Sequence, residues 1–442
     1  MGEIGVDPAQ RGVMPGTALS VVVPTCGRAA AVRRLLQALA VQREVPPFEV
    51  IVVADGVAAA ATGVGTAAWP FEVQVIEQAR AGAAAARNRG AARARGALLL
   101  FLDDDVEPGP HVVHAHVDCH AAGADAIGVG ELAPRTLVTG FVGDALSGWW
   151  EAMADGLADP RHRFSFRDVL SGHCSMSSAL FAASGGFDSS LKCQEDFEFG
   201  YRAIRSGIEV RYVSQARAFH FDDSDLDKIL RRKFDEGVAN VQLCARHPEL
   251  LRALPLGRAL AQARLAAAVH RGAIGRPAGH RAVPVALRSA MQTFEALSMR
   301  DKWRWALERL MDYWYWRGVV HAAGSADAVR AARDRDDAPL PPSLTVDLQE
   351  GLDLVEQRVD LFRPDSLRIM IAGECVGDLP PVPGAEPLRG VHLRPLLLKH
   401  FAEPLVAAAA RAGVLPEIFR GPAVAAQGHG TTPSCAKTWR AA

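Results

Sequence analysis

The chain has 442 residues, 49% of them hydrophobic and 22% charged, which is typical of a globular protein with two or three domains. Its 49 Lys and Arg residues balance 50 Asp and Glu residues. This balance excludes nucleic-acid binding through a general positive field, so we expect no nucleic acid among its partners. Seven dispersed cysteines without a C-x-x-C pair predict neither a disulfide framework nor a zinc site, and favour a cytoplasmic location. We expect no signal peptide and no transmembrane helix.

The N-terminal pattern predicts a strand, a helix and a second strand. The β-branched run 19–23 ends at Pro24 and Thr25, and four apolar residues at i, i+3, i+4 and i+7 then predict one face of a helix. Residues 48–53 form the next predicted strand, which stops shortly before Asp55. This order is typical of nucleotide-binding units. Because no G-x-G-x-x-G opens the helix, a nicotinamide or flavin site is not predicted.

A third short strand and an Ala-rich helix follow, over residues 73–76 and 82–90. Arg87 and Asn88 lie on that helix, where they supply a charge and an amide to the region of the next strand. The alternative for both is a solvated helix face. Alternation of strands and helices over about the first 130 residues predicts a doubly wound sheet.

Three consecutive acids form the most informative motif. The apolar run 98–102 predicts a buried strand, and Asp103, Asp104 and Asp105 follow at its C-terminal end, where such sheets place their ligands. Neighbouring carboxylates repel each other, so a Mg²⁺ or Mn²⁺ ion with a phosphate-bearing substrate is the expected partner. The alternative is a solvated acidic turn at a helix N-terminus.

Two further acids and a histidine stand downstream. Glu195 and Asp196 begin a predicted helix, where they either act in chemistry or cap the helix. A short predicted strand over residues 209–213 leads to His220. His220 is either a metal ligand or a half-buried strand residue between two phenylalanines, and the first is favoured.

Taken together, these motifs resemble those of the family-two glycosyltransferases of GT-A fold. The resemblance covers about residues 18–250 and implies an α/β, doubly wound, mostly parallel sheet, here with a helical extension and a small C-terminal α+β module. The matching segments are Val23 to Thr25, Val53 to Gly56, Gly82 to Gly90, Leu102 to Asp105, Gly185 to Asp188, Glu195 with Asp196, and His220.

The resemblance implies a nucleotide-diphosphate sugar as donor. Asp55 would bind the base, with Pro24, Thr25 and Arg87 nearby. Asp103 would reach the ribose or a metal-bound water, Asp104 lies beside it in the donor site, and Asp105 with His220 would ligate the metal.

Catalysis in such a site needs a base for the acceptor hydroxyl. We assign the base to Asp196, with Glu195 as orienting partner or substitute, and direct displacement would invert the anomeric centre. His173 stands where many family members carry an asparagine, so it is placed on the acceptor side, with a structural role equally expected.

Beyond the recognised region the sequence predicts further segments. We expect a flexible N-terminus, the glycosyltransferase domain, a helical extension, a linker, a small accessory α+β module and a disordered tail over residues 1–17, 18–250, 251–332, 333–343, 344–420 and 421–442. Four tryptophans between Trp303 and Trp316 either contact the inner face of a membrane peripherally or pack against the catalytic domain, and packing is favoured.

The leading hypothesis is a metal-dependent inverting glycosyltransferase. A catalytically silent GT-A module that binds carbohydrate or a partner is the alternative. A sugar-1-phosphate nucleotidyltransferase is disfavoured because it needs a glycine-rich basic loop after the first strand. The acceptor, whether saccharide, lipid carrier, protein or small metabolite, and the oligomeric state are not predicted.

Overall fold

The computed structural model describes residues 17–123, 125–257, 279–324 and 343–413. The predicted N-terminal segment, linker and C-terminal tail lie almost wholly outside these residues, as does part of the helical extension. The chain divides into two compact units, and each is described by itself. The first contains residues up to Leu340 together with Pro381–Pro387, and the second contains Pro341–Pro380 and Leu388–Ala442.

The first unit is built on an eight-stranded mixed sheet in the order β3-β2-β1-β4-β7-β6-β8-β5. Strands β3, β2, β1 and β4 are parallel, β7 runs antiparallel between β4 and β6, β6 pairs in parallel with β8, and β5 is antiparallel to β8. The strands are β1 (Leu19–Thr25), β2 (Phe48–Asp55), β3 (Glu72–Gln78), β4 (Leu98–Leu102), β5 (Val106–Pro108), β6 (Ala126–Pro134), β7 (His173–Ser177) and β8 (Glu209–His220).

The central strands are buried along their whole length. Every residue of β1 and β4 is buried, because helices cover both faces of the sheet and a two-sided cover selects continuous apolar runs. The helices of this unit are α1 (Ala29–Ala40), α2 (Ala83–Arg93), α3 (Val112–His120), α4 (Gly140–Ala158), α5 (Ser178–Ala183), α6 (Glu195–Arg205), α7 (Leu226–Arg246), α8 (Gly279–Ala296) and α9 (Arg300–Ala323).

Helix α9 carries the tryptophans for which the sequence predicted either peripheral membrane contact or packing against the catalytic domain. Trp303 and Leu310 are buried, and the Trp303 ring meets Phe141 of α4 at 5.5 Å between centroids. Trp305, on another face of the helix, is 56% exposed. None of the helices in the described ranges is both long enough and apolar enough to cross a membrane.

Residues 381–387 pack with the first unit although the sequence around them belongs to the second. Ala385 pairs with Ser165 in an antiparallel bridge, and the Glu386 amide donates to the carbonyl of Phe164 over 2.8 Å. In return the amide of Phe166 donates to the Gly384 carbonyl over 2.7 Å. The segment therefore satisfies the backbone of residues 164–166 as an added strand would.

The second unit has a three-stranded sheet in the order β11-β10-β9, with β9 parallel and β11 antiparallel to β10. Asp347 closes β9, and its carboxylate accepts hydrogen bonds from the amides of Ala372 and Gly373 at the turn between β10 and β11. The elements are β9 (Leu344–Asp347), α10 (Leu352–Phe362), β10 (Leu367–Ile371), β11 (Glu374–Leu379) and α11 (Gly390–Ala412).

Candidate active site

Asp103, Asp104 and Asp105 occupy the turn that follows β4. The amide of Asp103 donates to the carbonyl of Gly172, and the amide of Val106 donates to the carbonyl of Asp103, both over 3.0 Å. A Cβ at Gly172 would lie only 2.7 Å from Asp103 Oδ2, so a larger residue there would displace the Asp103 carboxylate. The three acids are thus fixed at the carboxyl end of the sheet, where folds of this kind bind ligands.

A buried arginine connects two of the predicted acidic positions. The side chain of Arg87 is 4% exposed, and its terminal nitrogens lie 2.5 Å from Asp103 Oδ1 and 2.7 Å from Glu195 Oε1. Helix α2 approaches the sheet closely because Gly90 lies on Val22, where a Cβ would overlap the valine. Burial alone would raise the pKa of Asp103, but the Arg87 guanidinium lowers it. The bridge therefore joins the ends of β4 and α6.

Arg28, for which no sequence pattern predicted a role, connects the other two acids. Its Nη1 atom lies 2.6 Å from Asp105 Oδ2, and its Nη2 atom contacts Asp104. Asp104 is buried and also accepts a 2.6 Å hydrogen bond from the Thr25 hydroxyl. Burial raises the pKa of Asp104 to about 6 despite the opposing charge of Arg28. The available signal was a basic residue three positions after Thr25, at the exit of the first strand.

Asp105 and His220 are placed where a divalent cation fits. Within the described ranges, Asp105 Oδ1 and His220 Nδ1 are buried without a hydrogen-bond partner, and Asp105 Oδ1 lies 3.6 Å from His220 Nε2. Two ligands that each lie about 2.1 Å from one ion can be up to about 4.2 Å apart, so this pair passes the distance test. A carboxylate and an imidazole suit Mn²⁺ as well as Mg²⁺.

The remaining ligands would have to come from outside the protein. Across the described parts of the chain, no group of three or more His, Cys, Asp or Glu side chains is arranged to hold a metal ion. An ion that keeps its waters and substrate phosphates needs only one or two protein carboxylates.

Trp150 of α4 holds the ring of His220 in place. The two rings lie 4.5 Å apart between centroids, and the Trp150 indole donates a hydrogen bond to Asp222 over 3.2 Å, which fixes the histidine ring against α4.

Asp196, the predicted base, lies in the first turn of α6 beneath Ser171. Its Oδ1 accepts from the amide of Phe197 over 2.9 Å, whereas Oδ2 lies 3.5 and 3.4 Å from the amide and hydroxyl of Ser171. Those longer contacts are weak. Burial raises the pKa of Asp196 to about 6, and the neighbouring Glu195 acts in the same direction. A loosely held carboxylate oxygen with a raised pKa is suited to accept a proton.

Asp55, the predicted partner of the nucleotide base, is engaged within the protein. Asp55 ends β2, beside the end of β1 that carries Pro24 and Thr25. It accepts hydrogen bonds from the Gln78 side chain at 2.9 Å and from the amides of Ala81 and Gly82 at 2.7 and 3.0 Å. Partial burial would raise the pKa of Asp55, but these hydrogen bonds lower it. A carboxylate accepts about four hydrogen bonds, so Asp55 shapes the loop before α2 and keeps one position for a ligand.

His173, predicted on the acceptor side, lies on β7 with a fully buried side chain. Its Nδ1 lies 3.2 Å from the Glu131 carbonyl oxygen and its Nε2 lies 3.1 Å from His116 Nε2. His116 Nδ1 and His120 Nε2 each lie 2.8 Å from the Ser175 hydroxyl. Because the carbonyl only accepts and the hydroxyl donates once, a single set of neutral tautomers satisfies all four contacts. This placement favours the structural role.

Acid should break this histidine network. Burial lowers the pKa of His173 to about 4 and the pKa of His116 well below its usual range. The unfolded chain takes up these protons near pH 6.5 and the folded chain does not. The stabilisation is therefore complete above pH 6.5 and is lost as the pH falls towards 4, by on the order of 1–3 kcal/mol for His173. The denaturant concentration at the unfolding midpoint should therefore decrease when the pH is lowered from 7 to 5.

Variants separate this contribution from general acid denaturation. In His173→Gln the titrating imidazole is gone, so its midpoint should fall less over the same pH interval. His111→Gln changes an exposed histidine and should keep the parental pH dependence. Identical pH dependence in all three proteins would contradict the assignment.

Comparison with known proteins agrees with these features. Residues 20–175 match the model of glycosyl transferase family 2. The pre-mycofactocin glycosyltransferase of Mycobacterium tuberculosis is 28% identical over 240 residues, which cover 52% of this chain and 48% of the relative. The O-antigen biosynthesis protein RfbC of Myxococcus xanthus is 26% identical over 227 residues, 47% of this chain and 17% of the relative. Among solved structures, S. aureus TarS is similar at 14% identity with a TM-score of 0.41, covering 69% of this chain and 55% of that chain.

The family match agrees with the sequence resemblance, because residues 20–175 match the model of glycosyl transferase family 2. The predicted α/β fold class, a large mostly parallel sheet followed by a small C-terminal α+β unit, is present in the structure. The chain spans about half the length of the first curated relatives that it matches. Glu195, Asp196 and His220 lie beyond the matched residues, so the roles of these three rest on the geometry described above.

Proposed function

We propose that the protein is a metal-dependent, inverting glycosyltransferase that moves a sugar from a nucleotide-diphosphate sugar to an acceptor hydroxyl. The observation that carries this proposal is that Arg87 bridges Asp103 of the acidic turn to Glu195 of α6, so that the turn and the helix start that carries Asp196 are joined. The partnerless oxygen of Asp105 beside His220 suits a cation, and the carboxylate of Asp196 has a pKa suited to a base. The match to glycosyl transferase family 2 supports the enzyme class.

The donor side rests on Asp105, His220 and Arg28. Asp105 and His220 would hold Mg²⁺ or Mn²⁺, which when bound neutralises charge on the leaving diphosphate. Arg28 is 44% exposed beside them, so its guanidinium can turn from the acids to a phosphate with little desolvation. Asp55 would use its remaining acceptor position for the nucleotide base, next to the backbone of Pro24 and Thr25.

The acceptor side rests on Asp196. Its loosely bonded Oδ2 takes the proton from the acceptor hydroxyl as the oxygen attacks, and a single displacement inverts the anomeric centre. Glu195 is held by Arg87 at 2.7 Å, so it orients the helix start and adds negative charge that keeps Asp196 basic. The acceptor class, whether saccharide, lipid carrier, protein or small metabolite, is left to experiment.

A thermal-shift panel of nucleotide diphosphates and nucleotide sugars, each with and without Mn²⁺, tests the donor site. A ligand at about 100 times its Kd should stabilise the folded protein by about 2.7 kcal/mol. We expect one nucleotide to raise the Tm only when the metal is present, and Asp105→Asn to abolish that shift. Asp223→Asn, which alters an aspartate that is 55% exposed and paired with Lys228, is the matched control.

Two outcomes would count against the proposal. A shift that persists in Asp105→Asn would remove Asp105 from the metal site. No shift with any nucleotide in the presence of the metal would favour the alternative, a GT-A module that binds without catalysis.

A further inference from the structure

The residue immediately before the two acids of α6 has an uncommon backbone conformation. Gln194 has φ 60° and ψ 23°, in the left-handed region. Residues other than glycine and asparagine adopt this region at a cost in free energy, and they do so where surrounding contacts hold them. The turn at Gln194 sets the direction in which Glu195 and Asp196 leave the loop. A change at Gln194 would therefore move both carboxylates.

Two buried side chains anchor this turn. The Asn240 side-chain amide donates to Gln194 Oε1 over 2.5 Å, and the Tyr315 hydroxyl donates to Asn240 Oδ1 over 2.9 Å. Asn240 is 1% exposed and Tyr315 is 8% exposed. Because the Asn240 nitrogen faces the Gln194 oxygen, its own oxygen must face the tyrosine. Asn240 thus uses both ends of its amide to link Tyr315 to Gln194.

The anchor stands on a tightly packed helix pair. A Cβ added to Gly237 of α7 would overlap the Tyr315 carbonyl oxygen, and a Cβ added to Gly318 of α9 would overlap the Phe234 carbonyl oxygen. Each glycine thus lies directly on the backbone of the other helix. This contact leaves the Tyr315 hydroxyl little freedom relative to Asn240.

We propose that Asn240 and Tyr315 are positioning residues for the base Asp196, acting through the left-handed turn at Gln194. The inference rests on the proposed function of Asp196. The relay touches neither the cation pair nor the acids themselves, so it sets where the carboxylate stands. Side chains on α7 and α9, outside the helix that carries Asp196, thereby determine the position from which Asp196 removes the proton. Reaction rates depend steeply on that geometry.

Tyr315→Phe keeps the ring and removes the hydrogen-bond donor. We expect amide hydrogen exchange to become at least about fivefold faster at residues 194–198, with the sheet strands unchanged. The kcat for nucleoside diphosphate release, measured with UDP-N-acetylglucosamine and GDP-mannose, should fall by about tenfold while the donor KM stays the same. Tyr212→Phe, which removes the hydroxyl of a half-buried tyrosine on β8, is the matched control and should change neither quantity.

A rescue experiment separates positioning from general stability. Gln194→Gly adopts a left-handed turn without strain, so the turn no longer depends on the anchor. Adding Tyr315→Phe to Gln194→Gly should then produce no further loss of kcat, and the two effects should not add. A purely structural tyrosine would lower kcat by the same factor in both backgrounds.

The outcomes distinguish this inference from the proposed function. Unchanged exchange at residues 194–198 in Tyr315→Phe, or additive effects in the double variant, overturns the positioning role. Exchange is read without substrate. Failure of the parent protein to use either nucleotide sugar, with exchange altered as expected, counts against the proposed function instead.

Discussion

Replacing Asp196 by asparagine should lower kcat by about 10²–10⁴-fold, the range that general-base catalysis contributes. Donor binding should be unchanged, because Asp196 lies at the acceptor side and contacts Ser171 and Phe197 rather than the cation pair. Steady-state kinetics together with the thermal-shift assay measure both quantities on one preparation. A loss of tenfold or less would remove Asp196 from the role of base.

The pH dependence provides an independent check. Because burial and Glu195 raise the pKa of Asp196 to about 6, kcat should fall about tenfold per pH unit below pH 6 and level off above it. The effect on stability has the opposite sign. The raised pKa means that ionised Asp196 destabilises the folded state at neutral pH. Asp196→Asn should therefore unfold at a higher denaturant concentration than the parent at pH 8. Its free energy of unfolding should be larger by on the order of 1–3 kcal/mol, and this gain should shrink towards pH 4.

The matched control is Asp235→Asn, which changes an exposed aspartate on α7. It should alter neither kcat nor the pH at which kcat falls. If Asp196→Asn proves less stable than the parent at pH 8, the half-buried carboxylate of Asp196 contributes hydrogen bonds stronger than its long contacts with Ser171 indicate.

Replacing Arg87 by methionine should cost about 3–5 kcal/mol of unfolding free energy at pH 7, because it leaves the buried carboxylate of Glu195 and the partly exposed carboxylate of Asp103 without their partner. Asp103 and Glu195 lose their direct bridges at 2.5 and 2.7 Å, and Asp196 loses a nearby positive charge. Equilibrium denaturation measures the loss. The cost should be smaller at pH 4, because without Arg87 burial raises the pKa of Asp103, so that protonation removes the unpaired charge of the variant at that pH.

Two further variants make this result specific. Arg87→Lys keeps the charge but cannot reach two carboxylates with separate nitrogens, so its loss should lie between the parent and Arg87→Met. Arg161→Met removes an arginine that is 61% exposed and paired with Asp159, and it should leave the denaturation curve unchanged. A small loss of unfolding free energy in Arg87→Met would mean that Asp103 and Glu195 are already partly protonated when Arg87 is present.

The strands and the acidic turn could be predicted from sequence because each depends on neighbouring residues. Continuous apolar runs indicate buried strands, and the acids follow β4 directly, so both were visible in order along the chain. Arg28 was missed because its partners, Asp104 and Asp105, lie more than 70 positions away. Nothing in the pattern around a single arginine after a turn shows which carboxylates it meets.

Other parts of the site depend on packing between distant elements. The burial of His173 follows from α3 packing on the sheet, mainly on β8 and β6, and bringing His116 to within 3.1 Å of it, which no periodicity reveals. The relay from Tyr315 to Gln194 likewise needs the contact of α7 with α9. A local signal reports the conformation of a segment, whereas a tertiary contact depends on the register between segments.

Residues 381–387 carry a practical consequence for producing the catalytic unit alone. A chain cut at the predicted linker would lack Gly384, Ala385 and Glu386, which pair with the backbone of residues 164–166. The truncated protein would expose an unpaired edge and the Phe166 ring, on which Gly384 lies. Such edges recruit other chains. A shortened version should therefore aggregate unless residues 381–387 are supplied again, fused or as a peptide.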